Sequence, residues 1–354
     1  MTEKQHQSAG IHRCSIMVER PRRAVKLGTV LVTGGAGYIG SHAVRALRAA
    51  GHAVVVFDNL SAGHRAAIEN VTLVEGDVRD TATVRAALHD HAITAVMHFA
   101  ALLSVGESVR EPARYYDHNV RGALSVLDAM VFEGVTRCVV SSTCAVYGNP
   151  MTTPLDETHA TDPINAYGDT KLAVERALRH YGRAYGIRSI ALRYFNAAGA
   201  DPEGDIGEDH APEIHLIPRA IAAAGGADPL QVFGDDYPTA DGTCERDYVH
   251  VCDLANGHLR ALDALDSGDD VARVYNLGTG TPHSVRQVIQ TVERVMGRPV
   301  PSTRAPRRPG DPSVLYAAAR RVRDELDWQP AYTALEDVVA TAWRWHESHP
   351  HGFG

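Results

Sequence analysis

The sequence predicts an α/β protein built on a doubly wound parallel sheet. Three observations carry this reading. Residues 30–40 run as a strand, then three glycines at a spacing of three (Gly34, Gly37, Gly40), then the start of a helix. A second strand, 53–57, ends in an acid, Asp58, about 20 residues past the turn. Strand-like and helix-like stretches then alternate to about residue 195.

The first strand, Val30 to Thr33, is an apolar run of buried character, and the helix after it opens near Tyr38 and passes through Val44 and Leu47 to about Ala50. A strand-to-helix turn this tight needs positive φ, which glycine takes without strain. Missing side chains let a pyrophosphate approach the backbone, and the helix N-terminus offers it free N–H groups and a partial positive charge. Gly34, Gly37, Tyr38, Ile39 and Gly40 are therefore candidates to hold a dinucleotide. Asp58 stands where a ribose hydroxyl would be bound, with Asn59 beside it. A glycine turn with no ligand would not need that acid.

Thr72 to Val74 reads as a third strand. Asp77 and Val78 follow at its carboxyl end, the side on which open parallel sheets bind ligands, so both are candidates to flank an adenine. Asp77 fits equally well as the N-cap of a helix over 80–90. Thr94 to His98 is a fourth strand, closed by Phe99, Ala100 and Ala101, where small residues let a cofactor lie or a helix pack. Residues 105–133 have helical spacing at Tyr115, Tyr116, Val120, Leu124, Leu127 and Met130. Asn119 lies inside that pattern and suits a bond to backbone. Val135 to Val140 is a fifth strand, ending in a hydroxyl cluster, Ser141, Ser142 and Thr143, that could hydrogen-bond a substrate oxygen or cap the strand. Tyr167 and Lys171 then open another helix, four apart and so on one face. A lysine ammonium there would favour the phenolate and make Tyr167 an acid/base near neutral pH.

Composition narrows the class. The 354 residues are 44% hydrophobic and 22% charged, as in ordinary globular proteins, and the length suits two domains or one large α/β unit. A net charge of −8 with no long basic run argues against nucleic acid. The local patch Arg304 to Arg308 suits a diphosphate better. None of the five cysteines forms a CxxC, and an odd count without an export signal fits the reduced cytoplasm. No apolar run reaches the roughly 18 residues of a membrane span. Residues 1–27 are polar, with Arg13, Arg20, Arg22 and Arg23, and read as a flexible extension in which Met17 is a second possible start.

With these residues in place, the chain resembles the extended short-chain dehydrogenases/reductases, and within them the UDP-glucose 4-epimerases. The resemblance rests on TGGAGYIGSH (33–42), DNL (58–60), EGDVRD (75–80), HFAAL (98–102), VGES (105–108), YYDHNVRG (115–122), SSTCAVYG (141–148), YGDTK (167–171), LRYFNAAGA (192–200), GEDH (207–210), FGDDYPTADGT (233–243), RDYVHVCDLA (246–255), YNLGTG (275–280) and RRPGDP (307–312). It covers nearly everything from residue 29 to 350.

The resemblance implies a tightly held NAD and a UDP-sugar substrate. Tyr167 would take the proton of the sugar 4-hydroxyl as C4 loses hydride. The 4-keto sugar would turn within the site and be reduced on its opposite face. Thr143 would bridge to the sugar oxygen, and Lys171 would lower the tyrosine pKa and bind the nicotinamide ribose, with Asn119 and Tyr194 also on the cofactor. Asn196, His215, Leu216 and Phe233 would meet phosphate, sugar or uracil, Arg246 and Arg308 the diphosphate, and Asp311 a uridine ribose hydroxyl. Leu315 stands where some relatives have a bulky Tyr, and Leu103 where many have a Lys on the cofactor ribose. Cys144 and Ala145 stand where the related dehydratases need an Asp–Glu pair, which disfavours dehydration. An N-acetylhexosamine or pentose nucleotide is the alternative substrate, and a non-catalytic NAD-binding protein the alternative class.

The fold expected is thus a Rossmann-like NAD-binding domain over 28–195 and a smaller, mixed α/β substrate-binding domain over 196–354, with 245–280 returning to the large domain. The resemblance also implies a homodimer, in which the helices at 105–133 and 164–185 pair across a two-fold axis.

Overall fold

The structure, a computed structural model, describes residues 28–267, 271–308 and 311–354. The expectations for residues 1–27 lie outside the described residues. In chain order the strands are β1 (Thr29–Thr33), β2 (Ala53–Asp58), β3 (Thr72–Glu75), β4 (Ile93–His98), β5 (Arg137–Thr143), β6 (Arg188–Tyr194) and β7 (Asn196–Ala198). There follow β8 (Leu230–Phe233), β9 (Glu245–His250), β10 (Ala272–Leu277), β11 (Pro282–Ser284), β12 (Ser302–Ala305) and β13 (Val314–Leu315).

Seven of these form one parallel sheet in the order β10-β6-β5-β4-β1-β2-β3. Successive side chains of a strand face opposite ways. Val30, Val32, Val56 and Leu192 therefore pack into one layer with Leu254 and Leu262, while Leu31, Val55, Phe57 and Val140 pack into the other with Leu127 and Leu178. Burial on both faces is why these strands read as continuous apolar runs. The strand order reverses between β1 and β4, the place where such sheets open a ligand crevice.

A smaller layer is centred on β9, which pairs with β7, β11 and β13, while β8 and β12 form a separate pair. The helices Leu216–Ala224, Val285–Met296 and Leu335–Ser348 close over it through Ile221, Val288, Val292, Val338 and Val339. Between β9 and β11 the chain recrosses. Helix Val251–Ala264 packs in the core with helix Tyr38–Ala49, and β10 becomes the edge strand of the large sheet.

Three local features differ from the sequence reading. The helix Thr81–Asp90 is capped by Asp80, which accepts from the N–H groups of Ala82 and Thr83. Asp77 is instead held by Arg79, with a contact of 2.6 Å. The stretch 105–133 is not one helix. It breaks at Glu111, because Pro112 has no N–H to continue the ladder, and restarts as Pro112–Tyr115, a π turn Tyr116–Arg121 and a helix Gly122–Glu133. Finally, β5 continues to Thr143, so the hydroxyl cluster lies within the strand rather than beyond it.

Behind the end of β5 lies a buried polar network. Arg193 donates to both carboxylate oxygens of Glu175 at 2.9 and 2.6 Å, and Ser142 Oγ donates to Glu175 at 2.5 Å. Arg193 also donates to Tyr147 Oη at 3.0 Å, Tyr147 donates to Asn276 Oδ1 at 2.7 Å, and Asn276 Nδ2 donates to Leu155 O at 2.9 Å. A buried pair loses most when one partner is removed, because the other charge stays uncompensated. Arg193→Met should therefore destabilise the protein by about 3–5 kcal/mol in urea unfolding, and adding Glu175→Leu should recover much of that loss. A loss below about 1 kcal/mol for the single variant would contradict this reading.

Candidate active site

The dinucleotide cradle is built by backbone approach. Gly34 has φ +70°, and a Cβ there would lie 2.5 Å from Ala100 N. A Cβ on Gly40 would lie 2.1 Å from the Gly34 carbonyl oxygen. Side chains are thus excluded where β1, the helix start and the end of β4 meet. The amides of Phe99 and Ala100 both donate to Thr33 O, at 2.9 and 3.1 Å, which seals that corner. Gly37 caps helix Tyr38–Ala49 without any side-chain bond, and no acid stands in its first turn. The amides there remain available to an anion. Asp58 is 8% exposed, and its carboxylate accepts from Ala36 N at 3.0 Å and Leu60 N at 2.9 Å. It thereby braces the glycine turn itself. Asn59 is exposed next to it, and Ile39 and Val78 are part-buried at the edges of the two core layers. These residues fit a dinucleotide.

Asn119 makes the bond to backbone that its place in the helical pattern suits. It is buried, its Oδ1 accepts from Leu102 N at 2.8 Å, and its Nδ2 donates to Leu102 O and Thr170 Oγ1, both at 3.1 Å. Both amide hydrogens are used within the protein. Asn119 therefore ties the loop after β4, which carries Phe99 to Ala101, to the helix that carries Lys171.

That helix, Ala166–Tyr185, is capped by Asn165, which accepts from Gly168 N at 2.9 Å. A Cβ on Gly168 would lie 2.6 Å from Ala145 O, so the helix start presses directly on the chain just past β5. This contact carries Tyr167 to the side of Thr143, whose hydroxyl eases the phenol's loss of its proton. Thr143 Oγ1 also accepts from Ala145 N at 3.1 Å. One turn along, Lys171 Nζ donates to Ser141 O at 2.9 Å, while Ser141 Oγ bonds to Tyr194 Oη. Thr143, Tyr167, Lys171 and Tyr194 thus meet at the carboxyl ends of β5 and β6.

The electrostatics run against the sequence reading in one respect. Burial pushes the Tyr167 phenol up to about 12, the bond with Thr143 counteracts it and nearby Cys144 adds to it. Burial also pushes Lys171 down to about 8, against the pull of Glu175. Desolvation therefore dominates at Tyr167, and the protein's own groups hold the phenol above its ordinary value. Cys144 beside them is buried, and burial pushes its thiol up to about 12.

The residues expected on a substrate gather on the smaller layer. Arg246 of β9 pairs with Asp311, and the Arg308 guanidinium lies 4.0 Å from the centre of the Phe233 ring. Leu315 of β13 is opposite Arg246 in the sheet and packs with Cys144, Tyr147 and Phe195, at 9% exposure. Asn196 sits on β7 opposite Tyr248, and Leu216 opens its helix. His215 has its imidazole engaged by its own loop. Nδ1 lies 2.5 Å from Glu208 and 3.2 Å from Glu213, and these carboxylates raise its pKa to about 10 although burial opposes them. Leu103 is exposed.

Sequence reasoning missed several supports of this site. Asp247, fully buried, accepts from the amides of Thr279, Gly280 and Ala317 and so fixes the loop beside Arg246 and Leu315. Thr33 Oγ1 bonds His98 Nδ1 at 2.7 Å across β1 and β4. Tyr38 Oη donates to Gly199 O at 2.6 Å and joins the glycine-turn helix to the chain after β7. The available signal was a charged or polar residue inside an apolar run, as with Asp247 in RDYVHVCDLA and Arg193 in LRYFN.

Comparison with known proteins agrees with this geometry. Residues 30–278 match the model of the NAD dependent epimerase/dehydratase family. The UDP-glucose 4-epimerase of Halalkalibacterium halodurans is 48% identical over 325 residues, covering 92% of this chain and 97% of the relative. A crystal structure of UDP-glucose 4-epimerase from Brucella ovis in complex with NAD superposes with a TM-score of 0.87 at 48% identity, over 89% of this chain and 97% of the other. One from Bifidobacterium longum, in complex with NAD+ and UDP, gives a TM-score of 0.87 at 39% identity, over 92% and 100%.

Proposed function

The chain belongs to the NAD dependent epimerase/dehydratase family, and from that premise we propose that it interconverts UDP-glucose and UDP-galactose through an NAD-dependent oxidation and re-reduction at C4. The observation that carries the reading is the meeting of Thr143, Tyr167 and Lys171 at the strand ends beside an uncapped glycine-turn helix. The dinucleotide supplies reversible hydride acceptance, and its oxidised ring, being cationic, would favour the Tyr167 phenolate that burial alone disfavours.

The chain's own residues do the rest. Tyr167 Oη moves the proton of the sugar 4-hydroxyl. Thr143, on the strand end beside it, would hold that oxygen in line. Lys171, fixed on Ser141 O, supplies positive charge one turn along. Arg246 and Arg308 suit the diphosphate, and Phe233 and Leu216 the uracil. Asp311, paired with Arg246 in the sheet layer, would turn to a ribose hydroxyl. Residues 28–195 then form the NAD-binding unit and 196–354 mainly the substrate-binding unit; of the stretch 245–280 expected to return to the former, helix Val251–Ala264 and β10 do so, while β9 stays at the centre of the substrate layer. Cys138, Cys144 and Cys244 are free and buried, and among the described residues no helix is long and apolar enough to cross a membrane. The cytoplasm is the compartment this reading supports.

Tyr167→Phe should cut turnover of UDP-galactose by two or more orders of magnitude, the scale of a positioned acid/base, with NAD content and thermal transition retained. Thr143→Ala should lose less, and Thr143→Ser should be tolerated. Near-normal turnover in Tyr167→Phe would sink the assignment.

Leu315 bears on the sugar. A leucine leaves more room than a tyrosine for the volume an N-acetyl group sweeps as the keto sugar turns, so N-acetylhexosamine nucleotides should be secondary substrates. Leu315→Tyr overfills a packed cluster and will cost some stability. The ratio of the two activities is independent of that cost. The ratio should fall against the N-acetylated substrate, whereas an equal loss of both would show that Leu315 only packs.

The chain is further proposed to act as a homodimer. Val109, Tyr116 and Phe132 on the broken helical stretch and Tyr185 on helix Ala166–Tyr185 are exposed. Light scattering at micromolar concentration should give about twice the 38.2 kDa chain mass, and Phe132→Asp should lower it. A monomeric mass for the unmodified protein would contradict this.

A further inference from the structure

Away from the reacting corner, four side chains converge in the segment between β7 and helix Leu216–Ala224. Glu208, His210, Glu213 and His215 each direct one potential ligand atom inward, and these atoms all lie within 4.8 Å of one another. Nδ1 of His210 is 3.1 Å from Glu208 Oε1 and 3.8 Å from Glu213 Oε2. Nδ1 of His215 is 2.5 Å from Glu208 Oε1 and 3.2 Å from Glu213 Oε1. Ligands at roughly 2.0–2.1 Å from a tetrahedral ion are roughly 3.3 Å apart. The observed spacings straddle that value.

The local sequence explains the convergence. Glu208 and His210, and again Glu213 and His215, are two residues apart, so an extended chain puts both members of a pair on one side. Ala211 and Pro212 turn the second pair to face the first. The segment is also anchored from outside. Trp345 Nε1 donates to Glu208 O at 3.2 Å, and Asp209 accepts from Phe353 N at 2.9 Å. The Glu208 side chain is 4% exposed. Glu213 beside it is 22% exposed, and the two carboxylates call for positive charge between them, which His215 supplies when protonated and a bound cation would supply in its place.

We propose that Glu208, His210, Glu213 and His215 form a tetrahedral site for one divalent ion of the zinc class. Two imidazole nitrogens select such an ion over magnesium, which takes oxygen ligands. Two carboxylates neutralise its charge. Four protein ligands close its shell, so the ion is structural and takes no part in proton or hydride movement. It braces a segment lying between the Tyr38 ring, 6.3 Å from that of His210, and Leu216 at the start of the substrate-layer helix. The site does not rest on which sugar nucleotide the enzyme turns over.

The test uses the full chain without a histidine tag, purified without chelator and desalted. Elemental analysis should find about one zinc per chain. After chelation, Co2+ titration should give the visible d–d bands of a four-coordinate site. Zn2+ should restore the thermal transition lowered by chelation, and Mg2+ should not. His210→Ala and Glu213→Gln should each lose most of the bound metal. Absence of zinc together with absence of cobalt bands would overturn the proposal, since a cluster held by protons alone binds neither. So would metal retained in full by both variants. Should His210→Ala fail to fold, Glu213→Gln and the cobalt titration of the unmodified chain decide the matter.

Discussion

Everything in the site depends on backbone meeting backbone at the carboxyl ends of β1, β4 and β5. The Gly34 carbonyl, the Gly40 Cα and the Ala100 amide occupy space that one methyl group would deny them. Gly168 presses on Ala145 O in the same way on the far side of the switch point. The first contact opens a helix N-terminus to a pyrophosphate. The second brings a tyrosine on a helix to a threonine on a strand. Asp58 braces the first and the Asn165 cap the second, and neither leaves room for a Cβ at these glycines.

Burial sets the chemistry of what those contacts bring together. Tyr167 and Lys171 are both shifted toward their neutral forms, up to about 12 and down to about 8, because desolvation disfavours charge of either sign. His98, bonded to Thr33 nearby, is pushed down to about 3 by burial, with the Lys171 charge adding to it. The fixed charges of this region are instead concentrated one layer back, in the bidentate Arg193–Glu175 pair. The reacting corner therefore holds a protonated phenol near the Lys171 ammonium, and a cationic ring placed against it would favour the phenolate. This dependence suits an enzyme whose proton and hydride must move together.

Much of this was legible in the sequence, for a physical reason. Strands buried on both faces leave long β-branched runs, and a glycine needed for close approach leaves a fixed spacing, so β1, β2, the turn and Asp58 could be read directly. Thr143, Tyr167 and Lys171 could be named because a strand end and a one-turn helical spacing are local patterns. What could not be read were effects set by three-dimensional surroundings. The sign of the Tyr167 shift depends on how much water burial removes. The backbone bond of Asn119 could be read, but not that it joins Leu102 to Thr170 on the next helix. The break at Pro112 was visible in the sequence, but the π turn after it was not. His215 could be matched to a substrate position, yet only the folded loop shows Glu208 and Glu213 against its ring.

The choice among reactions of this family turns on what stands next to the tyrosine. Dehydration of a keto sugar needs a base to remove the α-proton and an acid to release the neighbouring hydroxyl. Here the two positions after Thr143 hold Cys144, whose buried thiol is pushed up to about 12, and Ala145, which has no ionisable group. Leu315 and Phe195 pack against the same cluster and keep it apolar. With one proton-carrying group and no carboxylate at those positions, an oxidised C4 has only one productive exit, which is to be reduced again. If hydride returned to the face it left, nothing would be accomplished. Turning of the keto sugar before reduction is then the one event that makes the site an epimerase.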